Sequence, residues 1–322
     1  HRATRSPEMA ARWWAALSAL VALAGRASCC SVDAPCAPAV VVVTTFDGEY
    51  RPWRERLPLK VELPFPAGGA SGSPLGWNPE LQVLGVITGE GPRSSTLSIS
   101  ALGHDPRFNL TASRWLVSGI AGFDPLRASV GSAAWSRFVV DGEAARFIDP
   151  REAPDGWQTG WFPLGRTTPY GLPPPEPAEK QNVIYELSAT LVERAFAISS
   201  KVQLPDSNAL RAVREPYAEA FPDGAGRPPA VVFGDGLETN MWWVGELSTQ
   251  WARNWTAYWS SGRAAFTHSA MEDTGIAMGL QALARAGRAL PPEVGLLVLR
   301  SASNFVMPPP GHSPGVFKMP FL

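Results

Sequence analysis

Several stretches of this chain set side chains capable of chemistry directly behind apolar runs of strand length. After residues 40–45 comes Phe46-Asp47-Gly48-Glu49, which brings two carboxylates to the end of a run, with Glu49 the first site candidate. After residues 81–87 comes Thr88-Gly89-Glu90-Gly91, a glycine turn into Ser94-Ser95-Thr96. Backbone amides at such a helix start suit an anion, and Gly89 is a candidate for contact with it. After residues 115–118 comes Gly119-Ile120-Ala121-Gly122, where absent side chains let a ligand approach the backbone, making Gly119, Ala121 and Gly122 binding candidates. Glycine turns are also ordinary chain reversals, so each of these stretches alone is a weak signal.

Three further stretches carry side chains with a recognition chemistry. In Phe233-Gly234-Asp235-Gly236-Leu237-Glu238-Thr239-Asn240-Met241-Trp242-Trp243 the amide of Asn240 and the indole of Trp242 follow another apolar run. An indole face can stack on a purine. With 13 tryptophans in the chain, a core role is the commoner use of any one of them. Ser269-Ala270-Met271-Glu272 precedes a helical pattern, and Glu272 reads either as a ligand carboxylate or as the acidic member of a helix capping box. Arg300-Ser301-Ala302-Ser303-Asn304-Phe305 follows the last apolar run, and Asn304 offers a donor and an acceptor to a base edge. The four histidines form no metalloprotease or Ser/His/Asp pattern, and His268 reads as structural.

The elements that must hold these residues alternate between the two periodicities. Residues 40–45, 81–87, 115–120, 231–233 and 295–299 read as buried strands; 94–102, 184–200 and 274–287 read as helices, the last with Ile276, Leu280 and Leu283 on one face. This alternation predicts an α/β layered fold with a largely parallel sheet. Ligands of such sheets sit beyond the carboxyl ends of the strands, where the candidate residues lie.

The chain has 322 residues, 45% hydrophobic and 18% charged, with a formal net charge of −1. That describes a packed globular protein without the basic footprint of a nucleic-acid binder, so a small-molecule partner is expected. From Met9 the sequence gives Arg12, an apolar run over 13–24 and a small-residue stretch, matching a secretory signal peptide over 9–30; a buried N-terminal helix is the alternative. The run is shorter than the roughly 20 residues that span a bilayer, and later apolar runs are strand-sized, so no membrane span is expected in the mature chain. Cys29, Cys30 and Cys36 cluster at the N-terminal edge, so no disulfide is expected to staple the core, and no zinc pattern is present.

Taken in order, Thr44-Thr45-Phe46-Asp47-Gly48-Glu49, Thr88-Gly89-Glu90-Gly91, Ser118-Gly119-Ile120-Ala121-Gly122, Trp157-Gln158-Thr159-Gly160-Trp161-Phe162-Pro163, Met271-Glu272-Asp273 and the block from Arg300 to the Met307-Pro308-Pro309-Pro310-Gly311 end resemble the purine nucleoside permease family over residues 39–311. The resemblance implies a three-layer α/β/α domain of nucleoside phosphorylase type over 38–312, with a mixed, largely parallel central sheet and a short tail at 313–322 that longer relatives would extend by several tens of residues. It implies binding of purine nucleosides and cleavage of the N-glycosidic bond by water or phosphate, with no cofactor and with phosphate as the co-substrate if the reaction is phosphorolysis. By the same resemblance Glu49 takes the acid/base position, Met271 and Glu272 the ribose position, and Trp242 the neighbourhood of the base-stacking aromatic. Asn304 stands where many relatives in the wider superfamily have a purine-protonating Asp, and Asn240 likewise replaces an Asp. An amide cannot donate a proton in that way, which keeps a second implication open: a non-catalytic nucleoside-binding component that feeds a partner transporter. Either function would be exercised extracellularly, at the cell surface or in a vacuole.

Overall fold

The computed structural model describes residues 30–69, 72–171 and 182–313. The expected signal peptide lies outside these residues except for Cys30, and so does the tail from residue 314. The chain begins with β1 (Val40–Thr44) and α1 (Asp47–Arg56), then the short pair β2 (Val61–Leu63) and β3 (Leu75–Asn78), followed by β4 (Val83–Ile87) and α2 (Gly91–His104). The long β5 (Arg114–Phe123) leads to β6 (Ala133–Trp135), β7 (Phe138–Asp141), the hairpin β8 (Ala145–Phe147) with β9 (Trp161–Pro163), and β10 (Ile184–Glu186). Two helices follow, α3 (Ala189–Ser199) and α4 (Asn208–Ala218), then β11 (Val231–Phe233), β12 (Asp235–Glu238), α5 (Glu246–Trp259), β13 (Phe266–Ala270), α6 (Asp273–Arg285), α7 (Pro292–Gly295) and β14 (Leu296–Phe305).

The main sheet runs β10-β7-β12-β13-β5-β1-β4-β3-β2, with β14 along β5 and β6 joining β14 to β11. Its centre is parallel: β1 pairs in parallel with β4 and β5, β14 with β5, and β12 with β13 and β7. Antiparallel pairs occupy the margins at β2–β3, β3–β4 and β10–β7, and the junctions β13–β5 and β14–β6.

Side-chain alternation shows the three layers. On β1, Val41 and Val43 pack with Ile99 and Leu102 of α2 and with Ile276, Leu280 and Leu283 of α6. Val42 points the other way, against Tyr50 of α1 and Leu59. β4 repeats the pattern, with Leu84 and Val86 on the first side and Val83 and Ile87 on the second. Successive strand residues face opposite sides of a sheet, so helices cover both faces. Gly85 is required on the α1 side, because a Cβ there would lie 2.6 Å from Tyr50 Cε2 and 2.7 Å from Leu59 Cδ1.

The opposite layer depends on glycines that let α2 and α6 approach closely. A Cβ on Gly275 would come within 2.4 Å of the Pro92 carbonyl oxygen, and one on Gly103 within 2.2 Å of Leu283 Cδ1. Thr96 Oγ1 bridges the helices by donating to the Gly275 carbonyl at 2.9 Å. This contact brings the N-terminus of α6, with Glu272 just before it, alongside the N-terminus of α2 at Gly91.

Several expectations are corrected. The segment 184–200 is not one helix: Ile184–Glu186 pairs with β7, and the helix begins at Ala189 behind Ser188, whose Oγ accepts the Leu191 N–H. Gly119-Ile120-Ala121-Gly122 lies inside β5, and Arg300-Ser301-Ala302-Ser303-Asn304-Phe305 inside β14, since the two long strands pair in parallel from Leu296 to Phe305. Leu237-Glu238 and residues 266–270 form strands whose polar residues masked the apolar signal. Helix α1 carries Pro52, and its apolar content is low. Cys30 and Cys36 form a disulfide that closes a short loop within the N-terminal edge, with Cys30 buried in the core cluster around Val41, so the bridge links two residues of that edge and does not staple distant parts of the core. Cys36 also pairs with Phe108 through a parallel bridge, which docks this edge beside the end of α2. No helix among the described residues is long and apolar enough to cross a membrane.

Candidate active site

The ends of β1, β5, β13 and β14 and the segment after β12 surround a cavity of about 140 Å3. Glu49, Ala121, Gly122, Trp242, Met271, Glu272 and Asn304 all line it. Seven of the ten candidate residues, drawn from five separate stretches of sequence, therefore converge on one cavity. A second recess of about 570 Å3 adjoins it through Thr45, Phe46 and Glu90, and Gly89 lines that recess instead.

Glu49 sits on the first turn of α1, which tilts its side chain back under the end of β1. Its Oε2 accepts the N–H and the hydroxyl of Thr45, both at 2.8 Å, and its Oε1 accepts the Ile120 N–H at 2.7 Å. Both oxygens are thus held as acceptors by the backbone of two strands, and the rotamer is fixed while the group still faces the cavity. Such a group is placed to take a proton or orient a water.

Glu272 occupies the N-cap position of α6 but makes no capping hydrogen bond, and Ser269 lies within β13. The capping-box alternative is therefore excluded. Its Oε1 instead accepts the Gly91 N–H at 2.9 Å, and its Oε2 accepts from Arg300 Nη2 at 3.0 Å. The expected anion at the start of α2 is thus Glu272 itself, attracted by the free amides of the helix terminus. Burial raises the Glu272 pKa despite the opposing pull of Arg300 and of the Gly91 N–H.

Arg300 is buried and holds this region together. Its Nε donates to Asp273 Oδ2 at 3.1 Å and its Nη2 to Asp273 Oδ1 at 2.5 Å, while Nη1 donates to the Ile120 carbonyl at 3.1 Å. Burial works against its charge, but Asp273 and Glu272 outweigh that and hold its pKa well above the ordinary value. Gly119 serves this arrangement: a Cβ there would lie 2.3 Å from Arg300 Nη1 and 2.8 Å from Glu49 Oε1. The missing side chain makes room for two of the protein's own side chains, a correction to the expectation of ligand contact. Asn240 also stays outside the lining; its N–H donates to Glu143 Oε1, and its Oδ1 packs over Gly91.

The opposite wall is apolar. Met241, Trp242, Trp243, Met271 and Val306 contribute to it, with Trp242 52% exposed. Asn304 is buried at its edge, its Oδ1 accepting from Ser303 Oγ at 2.9 Å and its Nδ2 donating to the Phe305 carbonyl at 3.1 Å. No cluster of three His, Cys, Asp or Glu residues is arranged to hold a metal ion among the described residues.

The family model described as purine nucleoside permease matches residues 37–317. The chain belongs to the purine nucleoside permease family. A probable purine nucleoside permease of Schizosaccharomyces pombe is 31% identical over 234 residues, covering 71% of this chain and 66% of the relative. A purine nucleoside permease of Candida albicans is 26% identical over 284 residues, covering 86% and 67%. The chain thus spans about two thirds of the length of these relatives. Among solved structures, a 5'-methylthioadenosine/S-adenosylhomocysteine nucleosidase of Colwellia psychrerythraea, in complex with adenine, overlaps at a TM-score of 0.48 with 14% identity, covering 85% of this chain and 84% of the other. The corresponding nucleosidase of Neisseria meningitidis gives 0.47 with 13% identity, covering 84% and 87%. At that similarity no residue role transfers from either.

In this purine nucleoside permease family member the residues that sequence reasoning missed are the supporting ones: Thr45, Arg300 and Asp273. Arg300 and Asp273 stood in plain view within the family blocks. The signal that could have found them is charge, since an Arg inside an apolar strand and an Asp at a helix start need a buried partner.

Proposed function

We propose that the cavity binds a purine nucleoside, with the ribose hydroxyls at Glu272 beside Met271 and the base between Trp242 and Asn304, and that Glu49 promotes cleavage of the N-glycosidic bond. The observation that carries this reading is the convergence of Glu49 and Glu272 on one cavity whose other wall is aromatic and thioether-lined. A carboxylate that accepts strong hydrogen bonds suits vicinal hydroxyls, and an indole face suits a purine. Water is the acceptor this lining favours over phosphate. Glu49, Glu90 and Glu272 contribute to it, no Lys or Arg among the described residues does, and the Arg300 donors described above are directed to protein oxygens. Within this cavity an anionic co-substrate would meet carboxylates with no cation in the lining to offset them, the lining cation Arg54 belonging to the adjoining recess.

Asn304 favours a second reading. Its amide has no proton to release to a departing purine, and on this reading the protein is a non-catalytic binding component that delivers intact nucleoside to a separate membrane transporter. The permease names of the relatives favour the same reading. The Cys30–Cys36 disulfide supports a secretory route and an extracellular, cell-surface or vacuolar site, because disulfides persist in oxidising compartments. Incubating the purified protein with inosine or adenosine, with and without phosphate, and separating free base by chromatography decides between them. Base released without phosphate is the expected result; intact nucleoside retained at equilibrium selects the binding reading.

A further inference from the structure

Behind the cavity lining, Glu238 at the end of β12, His268 on β13 and Ser136 just before β7 form a buried group that the site has not so far required. Ser136 Oγ and His268 Nε2 are 2.9 Å apart. Glu238 Oε2 accepts the N–H of Asp273 at 3.2 Å, supplying the first turn of α6 with the cap that neither Ser269 nor Glu272 provides. This leaves Glu238 Oε1 and His268 Nδ1 as buried atoms without partners. Both face Gly236, where a Cβ would lie 2.8 Å from Glu238 Oε1, 3.2 Å from His268 Nδ1 and 2.6 Å from His268 Cε1. Buried polar atoms are nearly always paired, and two orphans flanking one glycine lie where a single contact, direct or through one water, would satisfy both.

The sequence Ser–His–Glu is the order of a nucleophile triad, but Ser136 and His268 are 0% exposed and Glu238 is 1% exposed, so no substrate reaches them. Charge decides what they do instead. Glu238 faces Asp273 and Glu272 from the start of α6, Arg300 from β14 and His268 from β13. The single guanidinium is already spanned by Asp273 and Glu272. An ionised Glu238 would be an unpaired buried charge beside two other carboxyls, which is far costlier than a neutral acid with a hydrogen-bond acceptor.

We propose that Glu238 is a neutral carboxylic acid whose Oε1–H donates to Nδ1 of neutral His268, and that the Glu238–His268–Ser136 chain positions Asp273 and, through their shared Arg300, the Glu272 carboxyl at the cavity. Burial, reinforced by Asp273, raises the Glu238 pKa well above the ordinary carboxyl value, and burial lowers that of His268 to about 4. The acid and the acceptor are thereby each in the required state near neutrality. Glu238 acts through Asp273 and Arg300 and is a positioning residue. The proposal rests on the nucleoside reading only for the ligand held by Glu272.

Infrared difference spectroscopy of the full chain, wild type minus Glu238→Gln, reads the protonation state directly. The expected result is loss of a protonated-carboxyl carbonyl band; a difference spectrum showing loss of carboxylate bands instead overturns the proposal. Inosine affinity reads the positioning. Glu238→Gln keeps both hydrogen bonds and should bind within about twofold of wild type, whereas Glu238→Leu leaves the Asp273 N–H unsatisfied and should weaken binding on the order of tenfold. Equal affinity in the Leu and Gln variants overturns the positioning role. Should Glu238→Leu fail to fold, Gly236→Ala, which crowds both orphan atoms without altering a charge, takes its place with the same expected loss. If wild type binds no inosine, the functional reading fails, while the infrared result still decides the state of Glu238 and the melting temperatures of the Gln and Leu variants decide whether it holds α6.

Discussion

Along the Glu49 and Glu272 side of the cavity, each carboxylate oxygen is engaged by a donor from a different element: Thr45, Ile120, Gly91 and Arg300. Along the Trp242 side, Met241 and Trp242 are 48% and 52% exposed, and the wall consists of flexible or planar apolar groups. The first wall is preorganised, so a ligand meets acceptors that are already fixed and loses little to reorganisation. The second can adjust, since thioethers fill irregular shapes and an indole stacks on any purine face. On the proposed nucleoside reading, the difference gives selection for ribose to the polar wall and tolerance among purines to the apolar one.

The largest effect expected is from removing the cation that supports the polar wall. Arg300→Leu leaves Asp273 and Glu272 buried without their guanidinium, and breaking a buried pair in this way costs about 3–5 kcal/mol. Denaturant unfolding should show that loss together with loss of inosine binding. A variant that unfolds early yet binds normally would break the comparison, because it would separate the wall's preorganisation from its affinity.

Within the polar wall the two carboxylates should divide kinetically. A positioned acid or base contributes roughly 100- to 10,000-fold to rate, so Glu49→Gln should depress turnover with nucleoside affinity largely retained. Glu272→Gln should weaken nucleoside binding relative to free base, as a hydrogen bond to a charged group is worth about 1.5–3 kcal/mol. Steady-state kinetics with equilibrium binding of inosine and hypoxanthine on both variants checks the division. If neither variant alters any measurable cleavage, the binding-only reading stands.

The support behind the polar wall carries a pH signature. The His268 pKa of about 4 lies below the ordinary 6.5 because burial disfavours its charge, so the folded state takes up this proton less readily than the unfolded state. Its contribution is complete above about 6.5 and is lost as pH falls through about 4, amounting to at most about 3 kcal/mol at 1.36 kcal/mol per unit. Thermal melting of wild type and His268→Gln from neutral to acidic pH should show their stability difference shrinking across that window. A constant difference would place the proton elsewhere.

The same contrast explains what could be read from sequence. Glu49, Met271, Glu272 and Asn304 were legible as residues of one cavity because each lies in a short block tied to the end of an apolar run. The strands β1 and β11 were legible because their interiors are uniformly apolar. Glu238 and His268 were hidden because β12 and β13 mix buried polar residues with apolar ones, and a buried polar residue looks like a loop residue until its partner is known. The partners lie far away in the chain: Arg300 is 180 residues from Ile120, and Gly91 is 181 from Glu272. The role of Gly119 could not be separated from ligand approach for the same reason, since the two side chains it accommodates come from α1 and β14.

The smallest effect should come from the adjustable wall, and it tests whether that wall recognises bases at all. Trp242 follows β12 and lines the cavity opposite the polar wall, between Met241 and Trp243. Stacking of a base on an aromatic side chain is worth roughly 1–3 kcal/mol in nucleic-acid binders, and partial exposure of the indole places the expected loss toward the lower end. Trp242→Ala should therefore weaken adenosine and inosine to a similar extent and leave ribose binding nearly unchanged, because the polar wall is untouched. Its melting temperature should also stay close to wild type, since a half-exposed side chain contributes less to packing than the fully buried Trp255 or Trp115. Titration of the two nucleosides and of ribose checks the pattern. An equal loss for ribose would mean that the indole shapes the polar wall as well, and the division of the cavity into a fixed and an adjustable side would have to be given up.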